Sequence, residues 1–144
     1  MRSGVSGLRE PLEATLPGGD DAIARASKFL DDLAEAYAIP PAVLTDLRIA
    51  FDEVVTNIVK YGRSREIRVR CAVRDDSLET TIEDDGVAFD PLQAPVPDVG
   101  APIAERAVGG LGIHFVKNLM SSVDYERIGG RNRLTLVQRL EPAG

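Results

Sequence analysis

Leu12 to Leu16 alternates apolar and polar residues, the period-two pattern of a strand with one buried face. Pro17-Gly18-Gly19 marks a turn, and Asp20 or Asp21 is placed to cap a following helix. In that helix Ile23, Ala26, Leu30, Leu33 and Tyr37 recur at helical spacing, predicting one buried stripe. The helix should stop near Ile39-Pro40-Pro41, because a residue before proline avoids helical geometry. A second helix is predicted from Pro41 to about Tyr61, with Gly62 ending it and Leu44, Leu47, Phe51, Val54, Val55 and Ile58 forming its apolar stripe. Two strands follow, joined by a hairpin loop at Arg74-Asp75-Asp76-Ser77. Ile67, Val69, Cys71 and Val73 share a face of the first; Leu78, Thr80 and Ile82 share a face of the second.

Residues 90–109 break the pattern. Four prolines and Gly100 interrupt any period, and a loop of this length inside a small domain suggests a functional lid. A third helix over about 111–120 and two strands, Val123–Ile128 and Asn132–Leu140, complete the chain, with Gly129-Gly130 between the strands. The expected fold is α+β: a two-layer sandwich with a mixed, mostly antiparallel sheet and three helices on one face. Residues 1–10 are expected to be a flexible N-terminus and 11–141 a single domain.

Composition narrows the functional classes. The chain has 144 residues, 44% hydrophobic and 28% charged, which suits one globular domain rather than a disordered segment. A formal charge of −6 disfavours a nucleic-acid backbone as partner, and seven aromatic residues are too few for a base-stacking platform. One cysteine, Cys71, excludes an internal disulfide and points to a reduced, cytoplasmic setting; its place on the buried strand face predicts an inert thiol. No membrane span or signal-peptide core is legible.

Three segments carry candidate chemistry. In Asp52–Lys60, a rotation of about 100° per residue brings Glu53, Asn57 and Lys60 to one helix face, roughly opposite the apolar stripe. A carboxylate and an amide oxygen suit Mg²⁺, and a lysine suits a phosphate; the alternative is a solvated face. In Ile82–Pro91, Asp84 is in phase with the buried residues, so its carboxylate needs a donor, which a base amino group could supply. Gly86 would admit a ligand ring close to the backbone, while the plain alternative is an Asp-Gly turn closed by its own side chain. In Gly109–His114, glycines lead into a helix N-terminus, an arrangement that can cradle phosphate; a hinge would use the same glycines.

In their order and spacing, with the lid between the second and third, these segments resemble the N-box and the two glycine boxes of the ATPase superfamily that includes DNA gyrase, ninety-kilodalton heat-shock chaperones and histidine kinases. Glu53-Val54-Val55-Thr56-Asn57 and Gly110-Leu111-Gly112-Ile113-His114 look most like the anti-sigma factor serine/threonine kinases of bacterial partner switching. The resemblance implies ATP and Mg²⁺ as cofactors, with Asn57 holding the metal, Glu53 as general base and Lys60 near the phosphates. It implies Asp84 on the adenine amino group, with Gly86 and Ala88 in the first glycine box, where Ala88 replaces a usual glycine. It puts Gly109, Gly110, Leu111, Gly112 and Ile113 around the phosphates and Arg106 on the lid near the terminal one. A late threonine often joins the adenine network; Thr135 is out of phase with Leu134 and Leu136, whereas Asn132 is in phase, and both stay open.

The implied activity is phosphoryl transfer to a seryl or threonyl hydroxyl of an anti-sigma antagonist domain, with a sigma factor as competing partner and a homodimer common among relatives. The alternative is a nucleotide-dependent binding switch without transfer. A detached histidine kinase would need a phospho-accepting histidine on a dimerisation helix, but the single histidine, His114, sits beside the second glycine box.

Overall fold

The computed structural model describes residues 11–88 and 116–140. Strand β1, Leu12–Pro17, is followed by α1, Asp21–Ala36, and α2, Pro41–Asn57. A π-helical turn, Ile58–Gly62, continues α2 into strands β2, Glu66–Arg74, and β3, Ser77–Asp84. A helical segment over 116–119 precedes β4, Ser122–Ile128, and β5, Arg131–Arg139. The five strands form one sheet in the order β1-β2-β3-β5-β4.

The core lies between the helices and one face of the sheet. Leu30 and Leu33 of α1 and Leu47, Phe51 and Val55 of α2 meet Ile67, Val69 and Cys71 of β2, Leu78 and Ile82 of β3, and Leu134 and Leu136 of β5, with Val116 and Met120 closing the layer. Phe29 and Phe51 stack across the helix pair at 5.9 Å. This is the expected α+β sandwich with its helices on one face. The sheet itself is simpler than the expected mixed one: all four described pairings are antiparallel. The two helices thus connect strands that lie side by side and antiparallel, β1 and β2.

Local chemistry also differs at the helix ends. Asp20 has helical dihedrals (φ −59°, ψ −26°) and its side chain makes no capping hydrogen bond; the Ala22 N–H instead bonds to the Gly19 carbonyl at 3.0 Å. Asp21 is the first helical residue, where its charge suits the positive end of the helix. The buried stripe of α1 runs through Ala22, Ala26, Phe29, Leu30 and Leu33, which leaves Ile23 exposed. The helix ends at Ala36, before Ile39, because Tyr37 turns extended and buries its ring. After α2 and its π turn, the left-handed residue is Arg63 (φ 54°) rather than Gly62. The last hairpin matches its sequence: Gly129 and Gly130 both have positive φ, as a type I′ two-residue turn requires.

Cys71 sits wholly inside this core, its Sγ 3.2 Å from the Thr80 hydroxyl. Burial pushes the thiol up to about 12, the Thr80 contact pulling slightly the other way. Iodoacetamide at mildly alkaline pH is therefore expected to leave the native protein unlabelled and to modify Cys71 only after denaturation. Native labelling at the rate of a free thiol would contradict this placement.

Candidate functional site

One cleft opens where the end of α2 faces the ends of β3 and β5. Val54, Asn57 and Ile58 form its helical wall, Ile82 and Asp84 its β3 wall, and Asn132 and Leu134 its β5 wall, with Tyr125 of β4 behind them. The lining is mostly apolar with a few convergent polar groups, the usual character of a small-molecule site.

Asp84 is the buried charge of this cleft, 4% exposed. It ends the face that Leu78, Thr80 and Ile82 bury, so the strand period carries its carboxylate inward. Three donors converge on its Oδ1: the Ser64 hydroxyl at 2.8 Å, the Gly86 N–H at 2.9 Å and the Asn132 amide at 3.2 Å. The Gly86 bond is the local Asp-Gly turn, so that plain arrangement exists beside the cleft-lining position rather than instead of it. Asn132 pairs with Asp84 in register and shares its face; Thr135 lies on the other face of β5, with Arg133 and Val137. The geometry thus brings Asn132, and not Thr135, to the Asp84 carboxylate.

Gly86 is required by the chain itself. A Cβ there would lie 2.0 Å from the Gly62 carbonyl oxygen and 2.6 Å from Ser64 Oγ. The side of Gly86 where a Cβ would stand is filled by the end of the π turn, whose Gly62 carbonyl accepts the Val87 N–H at 2.9 Å. Ala88 is exposed at the edge of the described residues.

On the helical wall, Asn57 Nδ2 donates to Glu53 Oε2 at 2.9 Å, which leaves the amide oxygen as the acceptor end. Asn57 is not opposite the apolar stripe: three residues on from Val54 it sits about 60° away, so both share the cleft. Lys60 is exposed and does not line the cleft. The π turn begins at Ile58, and its wider i to i+5 coil ends the rotation that would have stacked Lys60 over Asn57. Such π turns cluster at functional positions. Arg106, Gly109, Gly110, Leu111, Gly112 and Ile113, with His114 and the stretch 90–109 expected to be a lid, lie outside the described residues, as do residues 1–10 and 141. Among the described residues no cluster of three or more His, Cys, Asp or Glu side chains could hold a metal unaided, and no helix is long and apolar enough to cross a membrane.

Sequence reasoning missed Ser64, Tyr125 and Arg127, all of which reach the Asp84 loop or the amide beside it. The two-residue turn at Gly129-Gly130 carries the usable signal for one of them, because it sets Arg127 opposite Asn132. Asp85, next to Asp84, ties two strands together: its Oδ1 accepts the backbone N–H groups of Arg65 at 2.8 Å and Glu66 at 3.3 Å. Desolvation would raise its carboxyl, but these bonds and the nearby Arg131 hold it below the usual 3.8. A lowered carboxyl stabilises the fold above 3.8 and loses that contribution as pH falls through its folded value. The melting temperature of wild type should therefore exceed that of Asp85→Asn at neutral pH, with the gap closing in acid. A gap unchanged across that window would refute the assignment.

The histidine kinase-like ATPase domain family matches residues 16–138. Similar curated proteins include the serine-protein kinase RsbW of Listeria monocytogenes, 27% identical over 124 residues, covering 81% of this chain and 79% of that one. The serine/threonine-protein kinase BtrW of Bordetella bronchiseptica is 29% identical over 100 residues, covering 67% and 70%. Among solved structures, the RsbU and RsbW domains of a Mycobacterium tuberculosis protein superpose with a TM-score of 0.67 at 20% identity, a likeness of fold. That superposition covers 92% of this chain but 32% of the other, so this chain spans about a third of it. With a match that runs from β1 through both cleft walls into β5, the chain belongs to the histidine kinase-like ATPase domain family.

Proposed function

We propose that this chain is an anti-sigma factor-type serine/threonine-protein kinase that uses Mg-ATP to phosphorylate an anti-sigma antagonist domain. The observation that carries the reading is a buried Asp84 carboxylate on one wall of the cleft and Asn57 on the other, with Glu53 hydrogen-bonded to Asn57. The first suits an exocyclic amino group; the second suits a metal-bound phosphate. In this reading Asp84 Oδ2, which takes none of the three bonds to Oδ1, accepts from the adenine amino group.

The donor set fits Mg²⁺ of the kind that keeps much of its water: one amide oxygen, Asn57 Oδ1, whose orientation the Glu53 bond sets. When bound, the ion would neutralise charge on the phosphates. Glu53, held beside the cleft by its bond to Asn57, would accept the proton of the attacking hydroxyl. By the family resemblance, Arg106 and the stretch from Gly109 to Ile113 serve the phosphates, a sigma factor competes for the partner surface, and the unit is a homodimer.

The test is transfer of label from γ-labelled ATP to a candidate antagonist domain. Label should appear on the antagonist and disappear with Glu53→Ala or Asn57→Ala. Tight nucleotide binding without transfer to any antagonist would replace this reading with a nucleotide-gated binding switch.

A further inference from the structure

Beside Asp84 stand side chains whose polar groups hydrogen-bond to the protein. The Asn132 amide is saturated in this way. Its Nδ2 donates to Asp84 Oδ1 at 3.2 Å and to the Val87 carbonyl at 2.7 Å; its Oδ1 accepts the Tyr125 hydroxyl at 2.6 Å and Arg127 Nη1 at 3.1 Å. Two donors and two lone pairs are the whole capacity of an amide. The same Arg127 Nη1 donates to the Gly86 carbonyl at 2.9 Å. Register explains the convergence: Asp84 lies opposite Asn132, and Asn132 opposite Arg127, in one row across β3, β5 and β4. Tyr125 is two residues from Arg127 on β4 and so shares its face.

We propose that Asn132, Tyr125 and Arg127 are positioning residues that select the base, by locking the Asp84 carboxylate so that a 6-aminopurine is accepted and a 6-oxopurine refused. The inference rests on the reading of the cleft as a nucleotide site. Rotation about the last bond of an aspartate side chain has no strong intrinsic preference, so hydrogen bonds must fix it. Here they hold Oδ1 to the protein and present Oδ2 as a rigid acceptor. A 6-amino group satisfies that acceptor. A 6-oxo group sets lone pairs against it, and the buried carboxylate can neither turn nor reach another donor. Loosening the lock lets the carboxylate swing aside, so the oxopurine penalty shrinks while the aminopurine contact weakens.

The experiment is calorimetric titration of the full chain with Mg-ADP and Mg-IDP, for wild type, Arg127→Met and Tyr125→Phe. Wild type should prefer ADP. Arg127→Met should cut the ratio of the two dissociation constants up to about tenfold, the equivalent of one part-buried hydrogen bond, and Tyr125→Phe should cut it in the same direction. A merely structural role would weaken both diphosphates alike and leave the ratio unchanged, which would overturn the inference while the nucleotide reading stands. Wild type that binds neither diphosphate would sink the nucleotide reading itself. Should Arg127→Met not fold, Tyr125→Phe, which removes one oxygen and keeps the ring, decides the matter alone.

Discussion

In an Asp84→Asn variant, the protection that Mg-ATP gives this protein against thermal unfolding should vanish while the fold persists. Ser64, Gly86 and Asn132 all donate to Oδ1, and an asparagine keeps a carbonyl oxygen in that place. The other position changes from acceptor to donor, so an NH₂ group faces the amino group of adenine. Two donors in a cleft whose lining is mostly apolar leave both unsatisfied, a penalty of about 1–3 kcal/mol in addition to the lost bond. Wild type should gain about 2.7 kcal/mol at a hundredfold ligand excess over its dissociation constant. Asp84→Ala would strip all three donors of their acceptor and should lower stability even without ligand, by about 3 kcal/mol. Thermal melts of both variants with and without Mg-ATP check this. An Asp84→Asn protein protected as strongly as wild type would remove Asp84 from the site.

Gly86→Ala should be strongly destabilising. The added carbon would sit 2.0 Å from a backbone oxygen of Gly62, and neither backbone can yield without breaking the Val87–Gly62 bond that joins the π turn to the Asp84 loop. Overpacking of this kind costs about 3 kcal/mol. Gly19→Ala is the matched control, because nothing lies within 4 Å of its added carbon; its change should stay within about 0.5 kcal/mol. Urea denaturation of the two variants gives the comparison. Equal midpoints would show that the loop and the π turn do not meet as described.

Strand phase is the most legible part of the molecule. Leu78, Thr80 and Ile82 alternate inward, and the same period carries Asp84 to the cleft without any knowledge of its neighbours. Asn132 follows by the same rule. Helical phase serves less well where helices begin and end: spacing puts Ile23 on a stripe that begins instead at Ala22, and Lys60 loses its alignment at a π turn that no local composition announces. Both misplacements occur where the regular rotation of the helix is starting or changing, so a modest rotation decides which side is buried.

Periodicity alone determined the strands, the two long helices, the buried carboxylate and the inert cysteine, because each depends on which residues of one element share a face. Tertiary structure decided why Gly86 is glycine, why Asn132 is already fully bonded, and how Tyr125 and Arg127 come to stand behind Asp84. Those outcomes depend on the order in which strands lie side by side, which brings together residues as far apart in the chain as Asp84 and Asn132. Spacing along a chain describes one element at a time; the row Asp84–Asn132–Arg127 exists only once three elements are in register.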